Sequence, residues 1–575
     1  MNIFIDYQNK ILSCVKKLSK QKIIKIPTNF KNITVELPPK NQNADLSSNA
    51  SLILSKLNNC HPRELAELLK KELLNHFKEF EKIEIAGPGF INISFKKSFW
   101  KKHLNKVIEL KSKYGSNNAN KKKYNIEFVS ANPTGPLHVG HCRGAILGDT
   151  LSNLLLFNGN KVTKEYYVND YGEQIKKFID SVYYRILEIL NNKPFPANRD
   201  LYPGDYIIDI AKIIIKKKTI KNFKNLKKIY LKLSAESLKH SMQLIISNLN
   251  LLGIKHDNFV YESKLIKKKA VDKVIKKLKK DKYIYEGKLE APKGEIPKNW
   301  KKRNQLLFQS SLFGDDVDRP LQKSDGEWTY FAGDIAYHSD KISRKFDVLV
   351  NILGADHAGY TKRIVSATKA ISKNKVSLIC KVSQLVKLFK DGKPFKMSKR
   401  QGDYITVEDL IKEVGKDSVR FIMLNRSSDV ELDFDFKQVT EKSKENPVFY
   451  VQYAYARINS VFRLLNLNLE DKINIKNEID NFNKYEIEIL KKVAEWPRCI
   501  EISSNKFEPH RIPFYLYELA TLFHSYWNLG KDNEEFRFIH DKKSKNDLRL
   551  KVLQAVALVI KNGMNILGVS TPKSM

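Results

Sequence analysis

With 575 residues, the chain has room for roughly three to five domains, each able to bury its own core, which excludes a small scaffold held by staples. It carries 102 Lys and Arg against 64 Asp and Glu, a net charge of +38, so a polyanion such as RNA or DNA is the first partner to consider. Crowding with Lys, Asn and Ile is also what an AT-rich genome produces, so codon bias competes with a binding footprint as the source of part of that charge. Five scattered cysteines, Cys14, Cys60, Cys142, Cys380 and Cys499, form no CxxC pair; their spacing writes neither a disulfide framework nor a zinc site, and it fits a reducing cytoplasm.

The N-terminal stretch "MNIFIDYQNKILSCVKKLSK" interleaves charge with apolar residues and has no uninterrupted apolar run of a signal peptide. The longest candidate for a membrane span, "YIIDIAKIII", is too short, so no membrane partner is expected. Helical periodicity then gives way to short strands. "ITVELPP" alternates, and "KIEIAGPGFINISF" sets Ile83 and Ile85 before a Gly-Pro-Gly turn and Ile91, Ile93 and Phe95 after it, which reads as a hairpin. Residues 1–115 therefore read as an α+β module, and "KSKYGSNNANKKK" reads as the linker that closes it.

From Tyr124 the pattern changes. "YNIEFV" is a strand, "NPTGP" a break, "HVGHCRGAILGDTLSNLLLFNG" a helix closed by Gly159, and "KVTKEYYV" a second strand. That is the opening βαβ unit of a parallel sheet. "DVLVNILGADH" is a near-continuous apolar strand, as expected where helices cover both faces. Between them lie Lys-rich helices over roughly 205–280 and an irregular stretch near 286–304 that reads as an edge insertion. Strand signals stop near residue 445. "NPVFYVQYAYARINSVFRLL" then places Val448, Val451, Tyr455, Ile458, Phe462 and Leu465 on one stripe, and "FYLYELATLFHSYWN" does the same with Leu516, Leu519, Phe523 and Tyr526. These are core stripes of a helical bundle, not base-stacking surfaces. No internal repeat of fixed period stands out.

Chemistry concentrates in two places. In "SANPTGPLHVGHCRG", Pro133 and Pro136 stiffen a turn that leads into a helix start near His138, where unpaired N–H groups and the positive end of the helix dipole suit a phosphate. Gly140 leaves room for a flat ring. His138 and His141 share a face and can donate to phosphate oxygens as charge builds up. A helix cap with a surface histidine, or a metal pair at i, i+3, are the competing readings. In "KDGKPFKMSKRQGDYITVEDL", Lys396 and Lys399 flank Met397 and Ser398 before an acidic helix start. Such lysines can neutralise a pyrophosphate, although alone they also read as a solvated lysine run.

Together, His138-Val139-Gly140-His141 and Lys396-Met397-Ser398-Lys399-Arg400 resemble the HIGH and KMSKS pair of class I aminoacyl-tRNA synthetases; Arg400 departs from the final Ser. "AGPGFINISF", "EFVSANPTGPLHVGHCRGA", "YYVNDYGEQI" and "YFAGDIAYH" extend the resemblance to the bacterial arginyl-tRNA synthetases over nearly the whole chain. The resemblance implies a multidomain α/β protein. Its parts would be the N-terminal α+β module over 1–115, touching tRNA; a Rossmann-type parallel-sheet catalytic core over 120–390; the KMSK loop and connecting helices over 391–445; and an all-α anticodon-binding bundle over 446–575. It implies an arginine–tRNA ligase of protein synthesis that forms arginyl-adenylate from arginine and ATP and passes the arginyl group to the terminal adenosine of tRNA(Arg). Mg2+ is expected with ATP; no protein-bound zinc is expected, and a cytoplasmic monomer is.

By the same resemblance, Pro136, Leu137, His138, Val139, Gly140, His141, Asp356, His357, Lys396, Met397, Ser398 and Lys399 would meet ATP. His138, His141, Lys396 and Lys399 would be catalytic. Ala131, Asn132, Pro133, Thr134 and Gly135 complete the approach to the first motif. Glu127, Ser130, Asn132, Glu262, Tyr330 and Asp334 would hold arginine, because a planar guanidinium asks for facing carboxylates that a lysine ammonium cannot fully engage. Asp334 as a helix cap and Tyr330 as a core aromatic are the ordinary alternatives. Asn169 and Asp170 carry no role that the residues define. A glutamyl- or glutaminyl-type synthetase and a non-catalytic tRNA-binding paralogue are the rival functions, and a small-molecule nucleotidyltransferase would have no use for the long helical tail.

Overall fold

The computed structural model describes all residues except Lys40, 118–120, 197–199, 290–302, 396–404, 474–481, Lys542 and Lys545. The N-terminal module packs α1 (Ile3–Lys20), α2 (Ala50–Asn58), α3 (Pro62–His76) and α4 (Lys97–Leu110) against an antiparallel sheet ordered β1-β2-β4-β3, formed by β1 (Val35–Glu36), β2 (Leu46–Ser48), β3 (Phe80–Ala86) and β4 (Phe90–Phe95). The expected hairpin is β3 and β4, with Ile83 paired to Ile93 and Ile85 to Ile91. The stretch that reads as a linker is more firmly held than its polarity suggests. Tyr114 is fully buried, its hydroxyl donates to Val493 O at 2.9 Å, and its carbonyl accepts from Trp496 Nε1 at 3.0 Å.

The central sheet is built from β5 (Lys123–Glu127), β6 (Lys161–Val168), β7 (Asn258–Tyr261), β11 (Val348–Gly354) and β12 (Ser377–Ser383), all parallel, in the order β12-β11-β5-β6-β7. β5, α5 (Val139–Phe157) and β6 form the expected βαβ unit. Three helices cross from β6 to β7: α6 (Glu173–Asn191), α7 (Asp205–Lys217) and α8 (Leu226–Leu251), with an apolar core of their own that includes Phe178, Ile207 and Leu233. β7 corrects the reading of 205–280 as helices alone. Four half-buried edge residues are too few to display a period. After β7 come α9 (Glu262–Lys267) and α10 (Ala270–Lys280), then β8 (Ile284–Gly287), β9 (Gln305–Phe308) and β10 (Arg319–Pro320), which pair antiparallel in a separate sheet. Most of the irregular stretch near 286–304 lies outside the described residues.

α11 (Tyr330–Ser343) and α12 (Thr361–Ser372) flank β11 in sequence. Beyond β12, β13 (Val386–Lys390) and β14 (Lys393–Pro394) precede α13 (Val407–Val414) and α14 (Lys416–Met423), β15 (Leu432–Asp435) follows them, the three strands form a small sheet in the order β14-β13-β15, and α15 (Phe436–Thr440) leads to the tail. The tail is α16 (Pro447–Leu464), α17 (Lys484–Lys506), α18 (Arg511–Asp532) and α19 (Asp547–Leu567). Its stripes behave as expected: Tyr455, Phe462, Phe523 and Tyr526 are all buried. α19 corrects the expectation about spans. It is long and apolar enough to cross a membrane by length and composition, yet 78% of that window is buried within the protein. Its apolar surface is spent on the bundle core.

Two buried arginines tie α5 to distant segments. Arg143 donates to the carbonyls of Gln384 at 3.1 Å, Ser427 at 2.8 Å and Val430 at 2.6 Å. Arg420 meets Asp149 at 2.5 Å, and also the carbonyls of Leu252 and Leu567, so one guanidinium joins α5 to the end of α8 and to the tail. On its sheet side α5 approaches so closely that a Cβ at Gly148 would collide with the Phe128 ring. Gly148→Ala is expected to cost about 1–3 kcal/mol by overpacking. Chemical denaturation checks this, and a loss below roughly 0.5 kcal/mol would mean that α5 can retreat from the sheet.

Candidate active site

The carboxyl ends of β5, β6 and β11 gather the chemistry, where an open parallel sheet leaves its crevice. His138 is the N-cap of α5. Its side chain accepts from Gly140 N at 3.2 Å, while His141 Nδ1 accepts from His138 N at 3.3 Å, a reciprocal capping box. The two rings lie 4.0 Å apart. Because each Nδ1 is an acceptor, the neutral tautomer places the proton on Nε2, so the donor edge of each ring is the one away from the cap. Burial lowers His138 and, reinforced by His138, holds His141 down at about 4, so His141 is neutral at physiological pH. The cap reading and the phosphate-donor reading therefore describe opposite edges of the same rings. Gly140 has an internal reason as well: a Cβ there would stand 3.0 Å from His138 Cε1.

The approach to α5 is held by the three crossover helices. Asn132 Nδ2 donates to Gln174 Oε1 at 2.5 Å, Tyr206 OH to Thr134 O at 2.8 Å, and Leu137 N to Asn248 Oδ1 at 2.9 Å. A Cβ at Gly135 would press on the Tyr206 ring. Pro133 is buried and Pro136 half-buried, while Leu137 is fully buried. In the second motif, Lys396, Met397, Ser398 and Lys399 lie outside the described residues. The segment after it is placed: Val139 N donates to Ile405 O at 2.9 Å and Val407 N to Leu137 O at 3.1 Å, bridging His138 and Thr406. The chain thus returns to the first motif directly after the second.

The carboxylates expected around arginine converge from separate elements. Asp334, on the first turn of α11, accepts a hydrogen bond from Tyr360 OH. Burial raises its carboxyl to about 6, with Tyr360 and Lys341 opposing and Glu127 adding to the rise. Glu262 opens α9; burial, then the charges of Asp334 and Asp170, raise it to about 7. The Asn169 amide, oriented to donate, lies 2.6 Å from Glu262 Oε2. Asp170 accepts from Ser263 N at 2.8 Å and Ser263 Oγ at 2.6 Å, so it anchors α9 and thereby places Glu262. That gives Asn169 and Asp170 the structural role which the residues alone did not define. Tyr167 lies in the field of Glu262, Asp334, Glu127 and Asp170 together.

Glu127 and Ser130 meet at 3.0 Å, Oγ donating to Oε1. Tyr330, one turn before Asp334 on α11, makes no hydrogen bond to this cluster: it is 79% exposed, with Lys323 6.0 Å above its ring. The core-aromatic alternative fails for the same reason. The aromatics at the carboxylates are Tyr167 and Tyr360, which the sequence did not single out. Asp356 and His357 follow β11 in a short 3-10 helix, Ala355–Tyr360, 3.3 Å apart and exposed, and their charges reach His141 and Asp334 respectively.

Sequence reasoning also missed a polar layer beneath the site. Glu165, with no exposure, takes hydrogen bonds from Arg344, from Tyr337 OH at 2.9 Å and from Asn258 Nδ2 at 2.7 Å. Burial alone would raise its carboxyl, but Arg344 and Lys341 outweigh that and hold it at about 2. Lys341 lies between Glu127 and Asn351, and His338 bonds Asn351 at 3.0 Å. The available signal was the spacing Asp334, Tyr337, His338, Lys341 on one face of α11.

Three family models match in chain order: "Arginyl tRNA synthetase N terminal domain" over 6–95, "tRNA synthetases class I (R), catalytic domain" over 103–462, and "DALR anticodon binding domain" over 451–575. An arginine–tRNA ligase of Pelagibacter ubique is 56% identical over 577 residues, covering 100% of both chains. One from Agrobacterium fabrum is 43% identical over 587 residues, with the same coverage. The solved structure of Thermus thermophilus arginyl-tRNA synthetase shares the fold, with a TM-score of 0.72 at 17% identity over 99% of each chain.

Proposed function

The chain belongs to the arginyl-tRNA synthetase family and is a class I arginine–tRNA ligase, and on that premise we propose how its residues divide the work. Asp334 and Glu262 receive the guanidinium of arginine, with Tyr330, one turn before Asp334 at the exposed start of α11, beside it. Glu127, Ser130 and Asn132 hold the amino and carboxylate end. ATP lies across the start of α5, along Pro136, Leu137, Val139 and Gly140, with His138 and His141 donating from Nε2 and with Asp356 and His357 at the rim. Lys396 and Lys399, beside Met397 and Ser398, are assigned from their sequence motif to the departing phosphates.

In the first step the substrate carboxylate attacks the α-phosphorus, the bond to the β-phosphate oxygen breaks, and pyrophosphate leaves. Such a displacement asks chiefly for alignment and for stabilised charge on the phosphoryl oxygens. The backbone N–H groups of 138–141 are already engaged, so the sequence expectation of unpaired donors there gives way to the positive end of the α5 dipole with two neutral imidazole donors, which supply both without a proton transfer. In the second step the 2′-hydroxyl of the terminal tRNA adenosine attacks the arginyl carbonyl and AMP departs. Mg2+ would come with the nucleotide and would neutralise charge on its phosphates. We assign the anticodon to the bundle over 446–575 and the outer corner of the tRNA to the module over 1–115. The core over 120–390 and the connecting segment over 391–445 carry the catalysis, and the whole acts as a cytoplasmic monomer.

The observation that carries this reading is the meeting of Glu262 and Asp334 around Tyr167, both raised by burial. A bound guanidinium offsets that buried negative charge, and its planar fork engages two carboxylates where an ammonium engages one. Protonation of Glu262 near pH 7 and of Asp334 near pH 6 removes the charge that arginine seeks. Therefore kcat/KM for arginine is expected to fall as pH drops from 8 to 6, by up to about tenfold per pH unit below the higher pKa. His141 stays neutral throughout that window. Pyrophosphate exchange with tRNA present measures the profile, and an arginine profile parallel to that for ATP would count against the carboxylate pair.

A further inference from the structure

Under the amino-acid end of the site, the sheet face that meets α11 is polar where such a face is ordinarily apolar. Lys341 has no solvent exposure; its ammonium donates to Glu127 Oε2 at 2.5 Å and to Asn351 Oδ1 at 3.0 Å. The other oxygen of Glu127 accepts from Ser130 Oγ at 3.0 Å, and that hydroxyl accepts in turn from Tyr167 N at 3.0 Å. The chain just beyond β5 is strained. Val129 and Ser130 take φ values of +69° and +42°, two successive left-handed residues of which one is β-branched. Such a turn persists only where its surroundings over-determine it.

We propose that Lys341 is a positioning residue for arginine capture: it fixes Glu127 so that the second carboxylate oxygen pins Ser130 and the left-handed turn in front of the substrate. It does this without touching substrate, from the face of α11 that also carries Asp334. Lys341 therefore couples the two ends of the arginine pocket, one through Glu127 and one through its own helix. A lysine suits the place because its compact ammonium serves two oxygens from a narrow stem, where a guanidinium would need more room. A buried pair of this kind gives weak net stability compared with apolar residues, so a role in geometry explains it better than a role in folding.

The proposal rests on the reading that Glu127 and Ser130 hold the amino end of arginine. Its test is a double-mutant cycle of Lys341→Met and Glu127→Gln, scored by KM for arginine and for ATP in tRNA-dependent pyrophosphate exchange, together with thermal melting. Lys341→Met is expected to raise KM for arginine about tenfold or more while leaving KM for ATP within roughly twofold. The double variant should be no worse for arginine than Glu127→Gln alone, because the two changes act through one carboxylate. It should also melt above either single variant, which keeps the comparison available if Lys341→Met folds poorly. A lower melting point with both KM values unchanged would make Lys341 merely structural and overturn the proposal, as would additive effects in the cycle. An unchanged arginine KM in Glu127→Gln would instead overturn the reading of Glu127 beneath it.

Discussion

Asp334→Asn is expected to lower kcat/KM for arginine by roughly a thousandfold, equivalent to about 4 kcal/mol, with KM for ATP nearly unchanged. The side chain keeps its shape, and its oxygen can still accept from Tyr360. The variant loses a half-buried charge against which the guanidinium is desolvated, and losing one partner of such a pair costs far more than losing an exposed one. Discrimination against lysine should fall along with it, since the remaining carboxylate offers a single partner to either substrate. Stability should hold or rise: burial raises the Asp334 carboxyl to about 6, so the fold bears the cost of its ionised form above that pH. Arginine and lysine titrations of adenylate formation decide the matter. A loss smaller than tenfold would move the guanidinium site away from α11.

His141→Asn is expected to slow adenylate formation by about a hundredfold to a thousandfold while leaving arginine affinity in place. The substitution is chosen because an asparagine oxygen can take over from His141 Nδ1 as acceptor for His138 N, so the capping box survives. His141→Ala would mix the chemical loss with a cap loss of about 1 kcal/mol. Only the outer N–H, on Nε2, disappears in the asparagine variant. Because burial holds His141 at about 4, the wild-type rate should show no acid limb from this ring above pH 6. Single-turnover formation of arginyl-adenylate measures the effect. A near-normal rate would leave His141 as a cap alone.

Much of the fold was legible because it is written in local terms. The βαβ start at Tyr124, the hairpin around Gly87-Pro88-Gly89 and the stripes of α16 and α18 each follow from a period of 2 or 3.6 and from turn chemistry within a few residues. The helix start at His138 was legible for the same reason, as was the clustering of Asp334 with Glu262 once the family resemblance was drawn. The exposure of Tyr330 was not legible, because no local pattern reveals which way the first residue of α11 turns. β7 and the burial of α19 escaped because a four-residue edge strand has no period, and because an apolar helix of 21 residues reads alike whether a bilayer or a bundle covers it.

By itself, then, the sequence determined most of the element types, the two motifs and, through the resemblance they carry, the family. Tertiary structure alone decided which charges are buried and with whom. Lys341 with Glu127, Arg344 with Glu165, and Arg420 with Asp149 join residues 179 to 271 positions apart. In sequence each is one polar residue on a helix or strand, indistinguishable from a solvated one. The cost of burying a charge falls only when a specific partner arrives at hydrogen-bond distance, and that arrival is a property of packing between elements rather than of any single element.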